Sequence, residues 1–304
     1  MRYTISLTII SLLPLFAQED FLKGVRAEDL MLERIEKVPA EVVKDLSNEW
    51  GVIPLEYWSE IGFSPAYSPD STLIAAECTK KPGGRITGLW ILDRNTNTKM
   101  RVVEGLVEDF KWSSGSKYLS FIQLEYINPS GIVESRDRPP YFNHERLCVY
   151  NIQTGKIKSI FDLGRFSLEH CWSPKYDYLA YSGLYHNSFK FAVYNAERDT
   201  EYIIDTTFAW RGELWNFSWS PDGNKLVYTK PLKMDFSVSD EIPVKSEVFV
   251  VNYDGTGRTQ LTDTPVSEMY VKWLQDGKII TEVVRQPEDP CYEHFYMILK
   301  RRKQ

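Results

Sequence analysis

Phe217-Ser218-Trp219-Ser220-Pro221-Asp222-Gly223-Asn224-Lys225-Leu226-Val227-Tyr228 reads as an aromatic strand, a Pro-Asp-Gly turn and a Leu-Val-Tyr strand. After an insert comes Glu247-Val248-Phe249-Val250-Val251-Asn252-Tyr253-Asp254-Gly255-Thr256-Gly257-Arg258-Thr259-Gln260-Leu261-Thr262, a Val-Phe-Val-Val strand joined by Asp-Gly-Thr-Gly to a short Thr-Gln-Leu strand. Turn residues stand where positive φ is needed, so the stretch predicts two hairpins, that is, four short antiparallel strands.

The unit recurs. Aligned on the aromatic residue, the copies are Tyr67-Ser68-Pro69-Asp70, Trp112-Ser113-Ser114-Gly115, Trp172-Ser173-Pro174-Lys175, Trp219-Ser220-Pro221-Asp222 and a degraded Trp273-Leu274-Gln275-Asp276-Gly277. Ile74, Leu119, Leu179 and Leu226 each fall seven positions after the first four anchors, and Ile279 falls one step early in the fifth. Repeats of four short strands predict an all-β fold, a β-propeller of four-stranded antiparallel blades. The copies give five blades, with six as the alternative if a further copy has diverged beyond the pattern.

These residues resemble the TolB-like family of bacterial β-propellers, relatives of the WD-repeat propellers, whose blades carry an aromatic-Ser-Pro-Asp-Gly turn and then Asp-Gly-Ser/Thr-Gly with Leu-Thr. The fourth copy matches both halves. Ser114-Gly115 and Lys175-Tyr176 depart from Pro-Asp-Gly, and the similarity covers roughly Phe63 to Leu299. It implies a fold, whereas propellers host many functions.

Residues 1–17 place Arg2 ahead of the apolar run Ile5 to Phe16, too short to span a bilayer of ~30 Å, and end in Ala17 before Gln18-Glu19-Asp20. This predicts a signal peptide cleaved after Ala17 and a periplasmic or secreted protein with no membrane span after cleavage. Net charge is -6, which excludes an electrostatic case for nucleic acid as a partner. Cys78, Cys148, Cys171 and Cys291 fall in different repeats without Cys-x-x-Cys spacing, so buried free thiols are expected in place of a metal or redox site.

Residues 18–50 hold Leu30 to Glu36 and Pro39 to Leu46, whose apolar spacing of three and four predicts two short helices capping the propeller, which then occupies 51–304. The fifth copy has no outer strand before the chain reaches Gln304. An open edge invites association, so Val52 to Tyr57 is expected to supply that strand. Two inserts, Asn128 to Pro140 and Pro231 to Val244, are candidate recognition loops.

Nucleophile-elbow, His-Glu-x-x-His, phosphate-loop and calcium-loop motifs are absent from the sequence, and His144, His170, His186 and His294 are isolated from one another. No catalytic residue, metal or cofactor is therefore assigned. The architecture itself nominates a site, because inner strands surround the axis. Residues preceding the anchors, Glu108, Asp109, Glu169, His170, Trp215, Asn216, Glu268 and Tyr270, are expected around one mouth, where acids and aromatics suit a cation, a sugar or a basic peptide. Two functions follow as expectations: a non-catalytic exported propeller that binds a protein or other envelope ligand, or a propeller lyase or hydrolase acting on a saccharide or peptide through scattered channel residues.

Overall fold

The computed structural model describes residues 22–38, 65–79, 86–125, 144–163, 169–185, 188–208, 216–233, 244–284 and 292–302. A single 3-10 turn (Ala27–Asp29) leads into β1 (Leu30–Lys37). The first sheet is β2 (Ala66–Tyr67), β3 (Leu73–Thr79), β4 (Ile86–Asp93) and β5 (Thr98–Glu104). The second is β6 (Leu106–Trp112), β7 (Tyr118–Glu125), β8 (His144–Asn151) and β9 (Lys156–Leu163). The third is β10 (Glu169–Trp172), β11 (Tyr178–Tyr185), β12 (Ser188–Asn195) and β13 (Thr200–Phe208). The fourth is β14 (Phe217–Trp219), β15 (Lys225–Lys233), β16 (Lys245–Asn252) and β17 (Thr259–Gln260). The fifth is β18 (Ser267–Trp273), β19 (Ile279–Val284) and β20 (Tyr292–Arg301), with β1 on its outside. The first four are antiparallel meanders running from inner to outer strand, and in the fifth β1 pairs antiparallel outside the β18–β20 meander, so each has the construction of a propeller blade. One parallel bridge, Ser246 to Ser267, links the fourth sheet to the fifth.

The repeated serine explains itself locally. Ser220 is fully buried; its Oγ donates to Asp222 Oδ1 (2.5 Å) and accepts from the Lys225 N–H (3.0 Å), so one hydroxyl clamps both ends of the turn. Ser68 makes the same pair of bonds to Asp70 and Leu73. Gly223 closes its turn with φ +72 and packs against Ser173, whose Oγ donates to the Gly223 carbonyl at 3.0 Å; a Cβ there would lie 2.5 Å from that hydroxyl oxygen.

The aromatic anchors tie neighbouring sheets together. The indole N–H of Trp112 donates to the Ala66 carbonyl (2.9 Å), that of Trp172 to Lys111 (3.0 Å) and that of Trp219 to Cys171 (3.1 Å), each acceptor lying on the inner strand of the preceding sheet. Trp172 and Trp219 are buried as the repeat predicts, whereas Trp112 is half-buried. Strand alternation then builds the cores: in β7, Leu119 and Phe121 face the first sheet, and Ile122 and Leu124 face the third. Both faces of the middle sheets are apolar because both are covered.

Two expectations about the N-terminal segment are corrected. Leu30 to Glu36 is a strand, not a helix: β1 pairs antiparallel with β20 from Leu30–Arg301 to Lys37–Phe295. It also fills the outer position of the fifth sheet that was expected of Val52 to Tyr57, residues that lie outside those described, as do Pro39 to Leu46 and the leader 1–17. The ten-residue β20 offers a full row of backbone donors and acceptors, and satisfying that row outweighs a weak helical pattern. Met31 and Ile35, which carried the helical spacing, remain exposed. Leu22, Val25 and Ala27 ahead of β1, with Leu30 at its start, enter the core between the fourth and fifth sheets. A further correction concerns the fourth insert, since β15 continues through Pro231 to Lys233 with a bulge. Hydrophobic clusters join sheets one to two, two to three, three to four and four to five; among the described residues none joins five to one.

Candidate functional site at the loop-bearing end

Meander topology sends the tight Ser turns after the inner strands to one end of the sheets, so that the inner strands start from the other, the second end. That second end is where the sequence places its candidate residues.

Asp109 and His170 come together there. Asp109 sits in a bulge of β6 between Glu108 and Lys111, with φ 47. Lys111 Nζ donates to Asp109 Oδ2 and to the His170 carbonyl, both at 2.8 Å, and so bridges the second and third sheets. His170 Nδ1 stands 3.4 Å from the same carboxylate oxygen, yet neither ring nitrogen has a hydrogen-bond partner. The imidazole is only 2% exposed. Burial, reinforced by the Lys111 ammonium, holds its pKa well below the ordinary value, so it is neutral at physiological pH. Glu108 and Glu169 are exposed beside this group on the same two strands. Behind them Glu77 and Glu145 are half-buried, and burial together with the Glu108 charge raises the pKa of each.

The remaining nominated residues do other things. Asn216 Oδ1 accepts from the Val271 N–H (2.8 Å) and clamps the fourth sheet to the fifth. Tyr270 is 40% exposed on β18. Trp215 lies outside the described residues. Glu268 turns into the wall between the fourth and fifth sheets, 2% exposed, where Oε1 accepts from Thr264 Oγ1 (2.9 Å) and Oε2 has no partner. Beside it Glu247 is fully buried, accepting from Thr262 Oγ1 (2.6 Å) and the Thr264 N–H (3.1 Å) and pairing with Lys245 (3.0 Å). The lysine thus pairs with Glu247, and Glu268 has no cation at this distance among the described residues.

Burial, with repulsion from Glu247, pushes the Glu268 pKa up to about 7 from 4.5. The folded state therefore binds the proton more tightly than the unfolded state does. Stability from this group is fully present below about pH 4.5 and is lost as pH rises through about 7, a change on the order of 3 kcal/mol. Glu268→Gln keeps the shape and removes the titration. Chemical denaturation at intervals from pH 4 to 8 should show wild type losing stability relative to the variant across that window; parallel pH profiles would rule the assignment out.

The Lys111 contact with His170 and the approach of Glu268 to Glu247 escape a motif search because each joins two repeats. Alternation along β6 does point Lys111 and Asp109 to one side, and that was the available signal. Cys148 and Cys171 are free, as expected, and burial pushes the Cys171 thiol up to about 12. No helix among the described residues is long and apolar enough to cross a membrane.

No protein-family model matches the chain. Dipeptidyl-peptidase 5 of Porphyromonas endodontalis is 41% identical over 64 residues, 21% of this chain and 9% of that protein. The same enzyme of Porphyromonas gingivalis is 34% identical over 80 residues, 26% of this chain and 11% of its own. The matched stretch spans about a tenth of the length of these curated relatives. Among solved structures, the β-propeller domain of the trilobed protease from Pyrococcus furiosus is 13% identical with TM-score 0.45, covering 78% of this chain and 69% of that one. An acylaminoacyl peptidase from Pyrococcus horikoshii is 17% identical with TM-score 0.44, covering 74% and 36%. TolB from Acinetobacter baumannii is 12% identical with TM-score 0.41, covering 86% and 55%. The sheets and repeated turns of the chain itself make it a β-propeller.

Proposed function

We propose that the chain is an exported, non-catalytic recognition propeller whose loop-bearing end takes a basic segment of a protein partner at the second and third sheets. The observation that carries this reading is the Asp109–Lys111–His170 group. A buried imidazole with no hydrogen bond costs stability, roughly 1–3 kcal/mol, and such a cost is retained where a ligand supplies the missing partner. Exposed Glu108, Asp109 and Glu169 favour a cationic partner and steer its approach.

His170→Leu separates the roles of this residue. It should raise thermal stability by relieving the unsatisfied ring, and it should weaken partner binding. Partner capture is tested by passing envelope extract over immobilised wild type and over the folded Glu108→Lys/Glu169→Lys variant. Proteins retained by wild type, lost by the variant and released by moderate salt support the reading. Identical captured sets from both would refute it. A second reading, action on a peptide, has in its favour the short similarity to dipeptidyl-peptidase 5; hydrolysis of a dipeptidyl substrate by the purified chain would replace the first reading with this one.

A further inference from the structure

We propose that the opposite, turn-bearing end carries a binding subsite for one unit of a neutral saccharide, in the cleft between the turns of the second and third sheets. The cleft holds about 300 Å³, at the small end of ligand pockets and suited to a single sugar ring. Its walls include Gly115 and Lys117 of the second sheet, Lys175, Tyr176 and Asp177 of the third, and Glu197.

The cleft exists because the third turn departs from its siblings. Ser71, Ser116 and Gly223 take positive φ and return their N–H groups to the carbonyls of Ser68, Ser113 and Ser220. Tyr176 occupies the corresponding place and bonds instead to Ser173 Oγ at 3.3 Å. Its ring is 41% exposed, stacked on Tyr178 at 5.4 Å, which stacks on Tyr253 at 4.4 Å. The outer ring is thus held as a rigid platform, the surface that the C–H face of a pyranose covers.

Beside the platform stands an unmet acceptor. Asp177 is 7% exposed, its Oδ2 lies 3.3 Å from Lys117 Nζ, and its Oδ1 has no hydrogen-bond partner. Gly115 forms the facing wall, where an added Cβ would come 3.7 Å from Oδ1. A carboxylate oxygen in that position calls for an N–H or O–H donor. The charges decide which. Lys117 already pairs with both Asp177 and Glu197. A cation would compete with Lys117 for Asp177 and an anion would compete with the two acids for Lys117, whereas a hydroxyl can donate to Asp177 and accept from Lys117 without breaking either pair.

The test titrates the purified chain with glucose, galactose, N-acetylglucosamine and maltose, with glucosamine and galacturonate as charged controls, followed by tyrosine and tryptophan fluorescence and by calorimetry. The proposal expects saturable binding of at least one neutral sugar, tighter than about 1 mM and unchanged between about 0.05 and 0.5 M salt. Tyr176→Ala removes an exposed ring, and Gly115→Leu fills the cleft at a position without positive φ. Both should melt as wild type does and bind at least tenfold more weakly. No saturation by any neutral sugar, preference for a charged control, or undiminished binding by both folded variants would overturn it. Because the acidic group lies at the other end, none of these outcomes depends on the protein partner proposed there.

Discussion

Replacing Trp219 with Ala should destabilise the protein by about 3–5 kcal/mol, the largest single loss expected from any anchor. Trp219 is 7% exposed between the third and fourth sheets, among Phe191, Phe217, Leu226, Tyr228 and Phe249. Truncation removes the apolar contacts of the ring and leaves a cavity that rigid strands on both sides cannot close. It also strips the Cys171 carbonyl of the indole donor that it holds at 3.1 Å. Trp219→Phe keeps most of the volume and loses only the donor, so its cost should be a fraction of that of the alanine variant. Ile203→Ala, at a side chain 50% exposed, should stay within about 0.5 kcal/mol of wild type. Denaturant melts of the three variants check the order. Wild-type stability in Trp219→Ala would remove the anchors from the interfaces and with them the register of the repeat.

A comparable loss is expected from Lys225→Ala, for a different reason. Lys225 is 1% exposed; its ammonium donates to Asp222 Oδ2 at 2.6 Å and to the Leu22 carbonyl at 3.1 Å. One side chain therefore neutralises the acid of the central turn and fastens the segment before β1 over the core of sheets four and five. Removing it leaves a buried carboxylate without its cation, a defect that costs about 3–5 kcal/mol. The double variant Lys225→Met/Asp222→Asn removes both charges and keeps the volume, so it should recover much of the loss. Hydrogen exchange supplies a readout that a general loss of stability would not give. Amides of β1 and β20 should exchange faster in Lys225→Ala than those of β7 and β8. Uniform acceleration through all five sheets would show that Lys225 does not fasten the N-terminal segment.

The binding-site proposals show a limit of the repeat. Lys111, His170 and Asp109 meet because β6 and β10 are neighbours around the axis, although they are some sixty residues apart in the chain. The turn-end cleft was half visible. Lys175-Tyr176 stands where the repeat has Asp-Gly, and of the copies that depart from the motif this is the one with a bulky aromatic in the Gly place, where the turn opened. That Asp177 Oδ1 is left without a partner is invisible in one dimension, because it depends on what Lys117 and Glu197 already satisfy.

Sequence alone determined the strands, turns and anchors, because each rests on interactions only a few residues long. Ser220 bonds within its own turn, Gly223 is required by a local φ, and the two-residue alternation of β15 and β16 assigns their faces. Tertiary structure decided the fate of Leu30 to Lys37, whose spacing of apolar residues fits a short helix as well as a strand. β20, more than two hundred and fifty residues away, presents an edge of unpaired backbone groups, and the gain from pairing that edge exceeds the small propensity difference between the two conformations. The same holds for Glu268 and Glu247. They come close only where Ser246 and Ser267 bring two blades together, and the raised pKa of Glu268 follows from that approach, since burial and charge repulsion act through space and leave no mark on spacing along the chain.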